Sequence, residues 1–418
     1  MRRRIRELLM LTLLVFGAVY LLASLNWCPP WPERAARKVS AARQDGPWRA
    51  GAAEVDLDVP YPVTMGGYGP PRATATRANR RPRARALVIS SGELTVALVS
   101  LDVVLVPRPV VDRVRLESGM PTAVVFATHT HTSLGQFDER PMAELGGLGW
   151  YRESARDALI HAAAQAIAVA KGAQTEVVPE LVTAAHAGLC RPRTGAACDE
   201  RLERLVLRGP SGPVAQLVVT AAHPVLVPRG SDALDSDYPG LFADLARERG
   251  EGITLVAQGA GGNASVAGER TPQAQVDALG AALSGLDAGA GEDAPPRLTL
   301  TVASTTLPHA DGSRLVPALS RNPANNLACQ KAEMEAEVVR LGLGPLTLLA
   351  VPAEVTAAAA PALESAAKAS RVLSLAGGYL GYLEPVEVVR ANEGEAWRQY
   401  YAPELASALA EAAALTAP

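Results

Sequence analysis

Six histidines are spread over 418 residues, and two of them, His129 and His131, stand two apart in the stretch Ala-Val-Val-Phe-Ala-Thr-His-Thr-His. The apolar residues before Thr128 have the length and β-branched content of a buried strand. Side chains two apart on a strand share a face, so the spacing predicts both imidazoles on one side of a strand end. Imidazole nitrogen is a good zinc donor, and His-x-His at such a place is a workable chelate. A pair of hydrogen-bonded structural histidines is the alternative. His223 closes a second apolar run, "VAQLVVTAAHP", with Pro224 ending the strand behind it. A lone histidine there is ordinarily structural, but zinc sites draw ligands from neighbouring strand ends, and the context repeats that of His129.

Three further stretches carry polar groups at the ends of apolar runs. "GPLTLLAVPAE" empties into Glu354, either a metal ligand or an acid at the start of the following helix. "GGYLGYLEP" offers Tyr379 and Tyr382, which on sequence alone read as packing residues. "AQGAGGNASVAG" has the glycines of a tight loop but neither the P-loop lysine nor a dinucleotide spacing, and no Gly-x-Ser-x-Gly elbow surrounds Ser265. It reads as a loop presenting Ser265 and backbone N–H groups to a substrate, or as an ordinary glycine turn. Asp232, Asp235 and Asp237 in "SDALDSDYPG" read as a polar loop capping the helix after Pro239.

The elements that must position these residues alternate. Hydrophobic periodicity predicts a hairpin and strand over "ARALVISSGELTVALVSLDVVLV", then the strand into His129, then an amphipathic helix over "YRESARDALIHAAAQAIAVAKG". Strands follow at 176–186, 203–208 and 214–222, a helix near 239–249, and further strands at "GITLVAQG", "PRLTLTVASTTLP" and "GPLTLLAVPAE". Interleaved strands and helices with several hairpins point to an α/β fold with mixed β-sheets flanked by helices, in a single large domain over 49–418.

Ahead of it, Arg2, Arg3, Arg4 and Arg6 precede an uncharged stretch from Leu8 to Leu25. That pattern predicts a cytoplasmic basic tail (1–6), a transmembrane signal anchor (7–26) and a Pro- and charge-rich linker (27–48), with the remainder outside the cytoplasm, in the periplasm or at the cell surface. A cleaved or lipidated signal is the competing reading. In an exported domain Cys190 and Cys198 could close a short disulfide loop; two free thiols are the alternative. A net charge of −3 gives no electrostatic footprint for nucleic acid.

Together these stretches resemble the neutral ceramidase family, in particular its N-terminal catalytic domain and its shorter bacterial members. The likeness rests on the order of "AAEVDLD", "MGGYG", "RARALVI", "VALVSLDVV", "ATHTHTSLG", "AAHPVLV", "SDYPG", "QGAGGNAS", "VPAEVT" and "GYLGYLEP", spanning roughly residues 50 to 395. The resemblance implies one zinc ion per chain held by His129, His223, Glu354 and Tyr382. It implies a catalytic, non-ligand role for His131 beside the metal, a place at the substrate for Ser265, and Arg191 as the family's arginine. It further implies hydrolysis of the amide bond of an N-acyl lipid, ceramide first among them. Three departures stand against it: Asn263 where the family has aspartate, Asn392 where it has a second tyrosine, and an end of the chain where larger members continue into an immunoglobulin-like domain. They motivate a second reading, a catalytically weakened surface protein that binds lipid or glycan. A third is a serine hydrolase using Ser265 with His131 or His223.

Overall fold

The computed structural model describes residues 2–23, 25–70, 72–195, 197–284, 296–314 and 321–418. Two mixed sheets stack face to face, each covered on its outer side by helices. The larger has eight strands in the order Ile253–Gln258, Gly212–Thr220, Leu202–Gly209, Thr175–Ala184, Trp48–Asp56, Arg83–Ser91, Leu94–Leu101 and Ala123–Ala127. Its interior pairings are antiparallel, and the outermost pairing at each end is parallel. The smaller runs Ala36–Asp45, Arg297–Thr306, Glu335–Leu343, Leu346–Ala350 and Arg371–Leu373.

Strand alternation divides the core. Along Arg83–Ser91 and Leu94–Leu101, Ala84, Ala86, Val88, Ala97 and Val99 face one way, toward helices Arg108–Ser118 and Glu153–Gly172. Their neighbours Leu87, Ile89, Val96 and Leu98 face the other way and meet Leu298, Leu341 and Leu348 of the smaller sheet. The alanine-rich face of Glu153–Gly172 matches the small residues beneath it, which lets the helix lie close on the sheet. Helices Ala360–Ala367 and Leu405–Thr416 cover the far side of the smaller sheet. The α/β reading with mixed sheets flanked by helices is what the structure shows.

The larger sheet curls until its two edges approach. Residues 374–377 stitch them together: the Ser374 amide donates to the Gln258 carbonyl (2.8 Å), the Gly377 amide to that of Val125 (2.9 Å), and the Ala127 amide to that of Leu375 (3.2 Å). Strand ends at opposite edges of the sheet, those leading to His129 and to Gly261–Ser265, thereby become neighbours.

Two expectations for the N-terminus change. A helix does form over Arg2–Ala23, but among the described residues no helix is long and apolar enough to cross a membrane. With arginines and Glu7 taking its first turns, the uncharged helical part from Leu8 to Ala23 rises about 24 Å, short of a ~30 Å hydrocarbon core. The structure thus does not bear out the membrane-spanning reading. Nor is 27–48 an extended linker. Cys28 is disulfide-bonded to Cys329, Trp31 donates from Nε1 to the Leu307 carbonyl, and Ala36–Asp45 pairs antiparallel with Arg297–Thr306.

One buried ion pair fixes the end of Leu94–Leu101. Asp102, fully buried, takes both carboxylate oxygens to Arg85 Nη1 (2.9 and 2.8 Å) and accepts the Arg83 amide (3.1 Å). Asp102→Asn leaves the Arg85 charge buried with only the more distant Glu54 (3.3 Å) beside it. The expected cost is about 3–5 kcal/mol, read as a shift of the denaturant unfolding midpoint at unchanged slope.

Candidate metal centre

His129 and His131 do share a cavity, but not through strand alternation. The strand stops at Ala127, and His129 takes a left-handed conformation (φ 71°) that few non-glycine residues adopt. The surroundings hold it there. Its amide donates to the Val103 carbonyl (3.0 Å), and its Nδ1 lies 2.6 Å from the Val104 carbonyl. The reversal turns the next residues back, so His131 packs beside His129 with ring centroids 4.9 Å apart and planes nearly perpendicular. His131 in turn rests on Gly67 of "MGGYG". A Cβ added at Gly67 would sit 2.7 Å from the His131 Cα, and Gly67 has φ 111°, so only glycine fits.

His223 follows the end of Gly212–Thr220 as the sequence predicts, with its ring centroid 4.4 Å from that of His129 and 5.3 Å from that of His131. The "SDYPG" segment clamps both histidine loops. The Thr130 and Thr132 hydroxyls donate to the Asp235 carbonyl (3.1 and 2.9 Å), while the Asp237 carboxylate accepts the amides of Leu226 and Val227 just after His223 (2.8 and 3.1 Å). The helix-capping reading of these aspartates holds in part: Asp237 opens helix Asp237–Glu248, and Asp232 pairs with Arg77 at the surface.

Glu354 follows the smaller sheet's strand Leu346–Ala350 but lies outside that sheet. The short strand Glu354–Val355 pairs parallel with Tyr382–Leu383, which places Glu354 beside Tyr382. Its Oε2 lies 3.1 Å from His129 Nε2, and its Oε1 accepts the Tyr379 hydroxyl (2.7 Å). Gly262 makes this approach possible, since a Cβ there would come within 2.8 Å of the Glu354 carbonyl oxygen. Burial opposes ionisation of Glu354, but His129, His223 and the Tyr379 hydroxyl outweigh it and hold the carboxyl well below its usual range. Desolvation at the cavity floor, reinforced by His129, lowers His131 to about 3. Burial and the two other imidazoles also take His223 well below its ordinary value.

An uncharged His131, an uncharged His223 and an ionised Glu354 are the states that cation binding requires of those groups. The ring orientations suit the same role. His129 Nδ1 lies at the Val104 carbonyl, which turns its Nε2 toward the cavity, 3.1 Å from Glu354 Oε2 and 3.5 Å from His131 Nε2. Nδ1 of His223 likewise faces the Gly261 carbonyl at 3.4 Å, leaving Nε2 for the cavity. Glu354 Oε2 has the His129 ring beside it, and His131 Nδ1 is buried with no hydrogen-bond partner among the described residues. A carboxylate and imidazole nitrogens turned toward one point suit a cation. Backbone carbonyls that orient the far nitrogen of each histidine are the usual supporting shell of a metal site. His129, His131 and His223 form a group whose ligand atoms lie within 4.8 Å of one another, and the donor set fits a divalent ion.

The other anticipated residues divide. Tyr382 is at the site, its hydroxyl accepting from Arg398 Nη1 (2.9 Å); burial and Glu354 raise both tyrosines well above the ordinary phenol value. Ser265, paired with Arg191 across a two-stranded ribbon, lines the cavity, and among the described residues no hydrogen bond joins it to His131 or His223. Arg191 does not reach the cavity; its side chain is exposed. The arginine that does is Arg193, two residues on, which donates to the Gly262 and Ala264 carbonyls (2.6 and 3.0 Å) and to Glu395 (2.9 Å). Residues 190–192 form the ribbon strand, and the chain leaves it at Arg193, which redirects that side chain inward. Arg398, Tyr68 and Tyr400 also line the cavity, and no sequence signal singled out Arg398 or Tyr400.

The two asparagine departures lie outside the reacting region. Asn263 Nδ2 donates to the carbonyls of Thr194 and Ala197 (2.9 and 2.8 Å), and its Oδ1 accepts the Ala357 amide (2.9 Å). A carboxylate could not make the first two bonds. Asn392 ends helix Val386–Ala391 in a left-handed conformation (φ 56°), a place asparagine suits.

All of this surrounds a cavity of about 880 Å³. Met142, Leu145 and Leu148 give it an apolar wall, with Leu327 and Ala332; Arg193, Arg398 and Ser265 stand nearer the glycine loop.

No protein-family profile matches the sequence, and no curated protein matches it. Among solved structures the fold is that of the neutral ceramidases. A ceramidase solved in complex with C2 superposes with a TM-score of 0.74 at 17% identity, over 88% of this chain and 74% of the other. The neutral ceramidase from Pseudomonas aeruginosa gives a TM-score of 0.72 at 17% identity, over 89% of this chain and 74% of its own.

Tyr379→Phe removes the proton donor that fixes Glu354 without touching the imidazoles. Metal affinity is expected to fall about 10–100-fold, measured by competition with a chromophoric chelator, while the folded state persists by circular dichroism. Unchanged affinity would show that Tyr379 is a packing residue.

Proposed function

We propose that the chain is a member of the neutral ceramidase family, a zinc-dependent amidohydrolase that cleaves the amide bond of an N-acyl lipid, with ceramide the leading candidate. The observation that carries this reading is the convergence of His129, His131, His223 and Glu354 at the floor of a large, mostly apolar cavity, on a fold shared with ceramidases. His129, His223, Glu354 and Tyr382 would hold the ion. Zinc held by these residues would supply an activated water at neutral pH and would polarise the amide carbonyl.

The chain's own residues do the rest. The apolar wall takes the acyl chain and keeps bulk water from the reacting bond. His131 remains neutral at pH 7 and reaches the cavity, so it can take a proton on the reacting side and deliver it to the amine nitrogen. Water oxygen ends on the acyl carbon, the C–N bond breaks, and the amine leaves with the proton, giving a fatty acid and a free amine. Arg193 positions the loop that presents Ser265, and Arg398 positions Tyr382.

Two disulfides, Cys28–Cys329 and Cys190–Cys198, suit an oxidising compartment, periplasmic or extracellular. Exposed Leu13, Leu14, Phe16 and Leu21 on the N-terminal helix suit contact with a lipid surface. The bonds of Asn263 and the helix-ending conformation of Asn392 support the enzyme reading over that of a weakened, lipid- or glycan-binding protein.

Zinc-loaded protein should hydrolyse N-acylsphingosine, lose activity to a chelator and regain it with zinc. His129→Ala should cost about a thousandfold or more in kcat/KM, since the stabilisation supplied by a metal is worth several kcal/mol. Activity indifferent to chelator, or blocked by a serine-directed fluorophosphonate, would instead favour Ser265 chemistry.

A further inference from the structure

The charge on the cavity wall is lopsided. Four arginines line it, Arg140, Arg193, Arg270 and Arg398, against one acid among the described lining residues, the site's own Glu354. Arg140 is neutralised from behind by Asp138 (2.6 Å) and Glu333 (3.4 Å). Arg193 and Arg398 are not each matched. A single buried carboxylate, Glu395, serves both, at 2.9 Å from Arg193 and 3.4 Å from Arg398. Arg270, exposed at the rim, has no ion pair among the described residues. Arg193, Arg270 and Arg398 thus bring three positive charges to the lining, with the one carboxylate of Glu395 paired to them among the described residues.

That side also carries the glycine loop, through the bonds of Arg193 to Gly262 and Ala264, whereas the apolar wall comes from residues 142–148 and 327–332. A cavity with a greasy wall and a cationic wall sorts a substrate by its two ends. The acyl chain belongs on the first. A neutral sphingoid head would leave Arg270 facing only water and the surplus charge of Arg193 and Arg398 unbalanced, while a carboxylate or phosphate would give Arg270 a charge-assisted hydrogen bond and balance that surplus. Desolvation within the cavity strengthens that attraction relative to the open surface.

We infer that the preferred substrate is an N-acyl amide bearing an anionic group on its amine side, a carboxylate or a phosphate, recognised by Arg270 together with the excess charge of Arg193 and Arg398. This rests on the amidohydrolase reading above and, within it, ranks amides with an anionic head above ceramide, whose head is neutral. The same hydrolysis then releases a fatty acid and an anionic amine.

The test compares N-dodecanoylglycine, N-dodecanoylethanolamine and its O-phosphate, which share an acyl chain and differ in head-group charge. kcat/KM is expected to be about tenfold or more higher for the anionic amides than for the neutral one. Arg270→Gln, at an exposed position that should not disturb folding, is expected to cut that ratio about tenfold, as loss of a charge-assisted contact does. Added salt should narrow the ratio, and the carboxylate-to-phosphate ratio identifies the anion. Binding of N-dodecanoylglycine to metal-free protein, followed by calorimetry, should show the same preference over N-dodecanoylethanolamine. Equal or better turnover of the neutral amide, with Arg270→Gln lowering both alike, overturns the inference and leaves the hydrolase reading standing. If no amide is cleaved but the anionic one still binds about tenfold tighter, the hydrolase reading falls and the anion site remains.

Discussion

Everything at the site depends on one backbone conformation, the left-handed turn at His129. It is costly for a residue with a side chain, and it persists because two consecutive carbonyls, those of Val103 and Val104, accept the amide and the ring Nδ1 of the same histidine. Those carbonyls follow directly on Asp102, whose buried pairing with Arg85 fixes where the strand Leu94–Leu101 ends. A buried ion pair thus sets a strand end, the strand end sets two acceptors, and the acceptors set the orientation of the imidazole whose Nε2 faces Glu354.

The same logic extends to the other donors. His223 and the glycine loop belong to the opposite edge of the eight-stranded sheet, and only the curl of that sheet, stitched by residues 374–377, brings them to His129. Asp235 and Asp237 tie the two histidine loops to one helix start, so the relative placement of His129, His131 and His223 is set by a rigid element rather than by flexible loops. Glu354 lies just beyond the second sheet's strand Leu346–Ala350 and is aligned by Tyr379. The centre is assembled across the junction of both sheets, the usual place for a site that needs donors from distant parts of a chain.

The surroundings divide the work between grease and charge. An apolar wall makes room for a hydrocarbon chain, and a cationic wall governed by the sharing of Glu395 between Arg193 and Arg398 meets whatever is attached to it. Asn263, which looks from the sequence like a missing carboxylate, instead braces the Arg193 loop through two donated bonds. A substitution relative to a family pattern is informative only once its partners are known.

Much was legible in the residues themselves. Apolar runs ending in His129, His223 and Glu354 marked strand ends with donors on them, because burial demands apolar sequence and chemistry demands a polar residue where burial stops. Period-two and helical patterns gave the mixed α/β class, and the glycines of "AQGAGGNASVAG", Gly262 among them, marked a tight loop. What the sequence could not determine was anything resting on contacts between distant segments. It implied Arg191 where the chain bends to deliver Arg193, took Ala36–Asp45 for linker because its pairing partner lies some 260 residues away, and gave no sign of Arg398. It placed His129 and His131 on one face by strand alternation, whereas a left-handed turn does it. Local sequence fixes which side chains can be buried and which can bind; which of them meet is decided by sheet closure and by hydrogen bonds between parts of the chain that have no local relation.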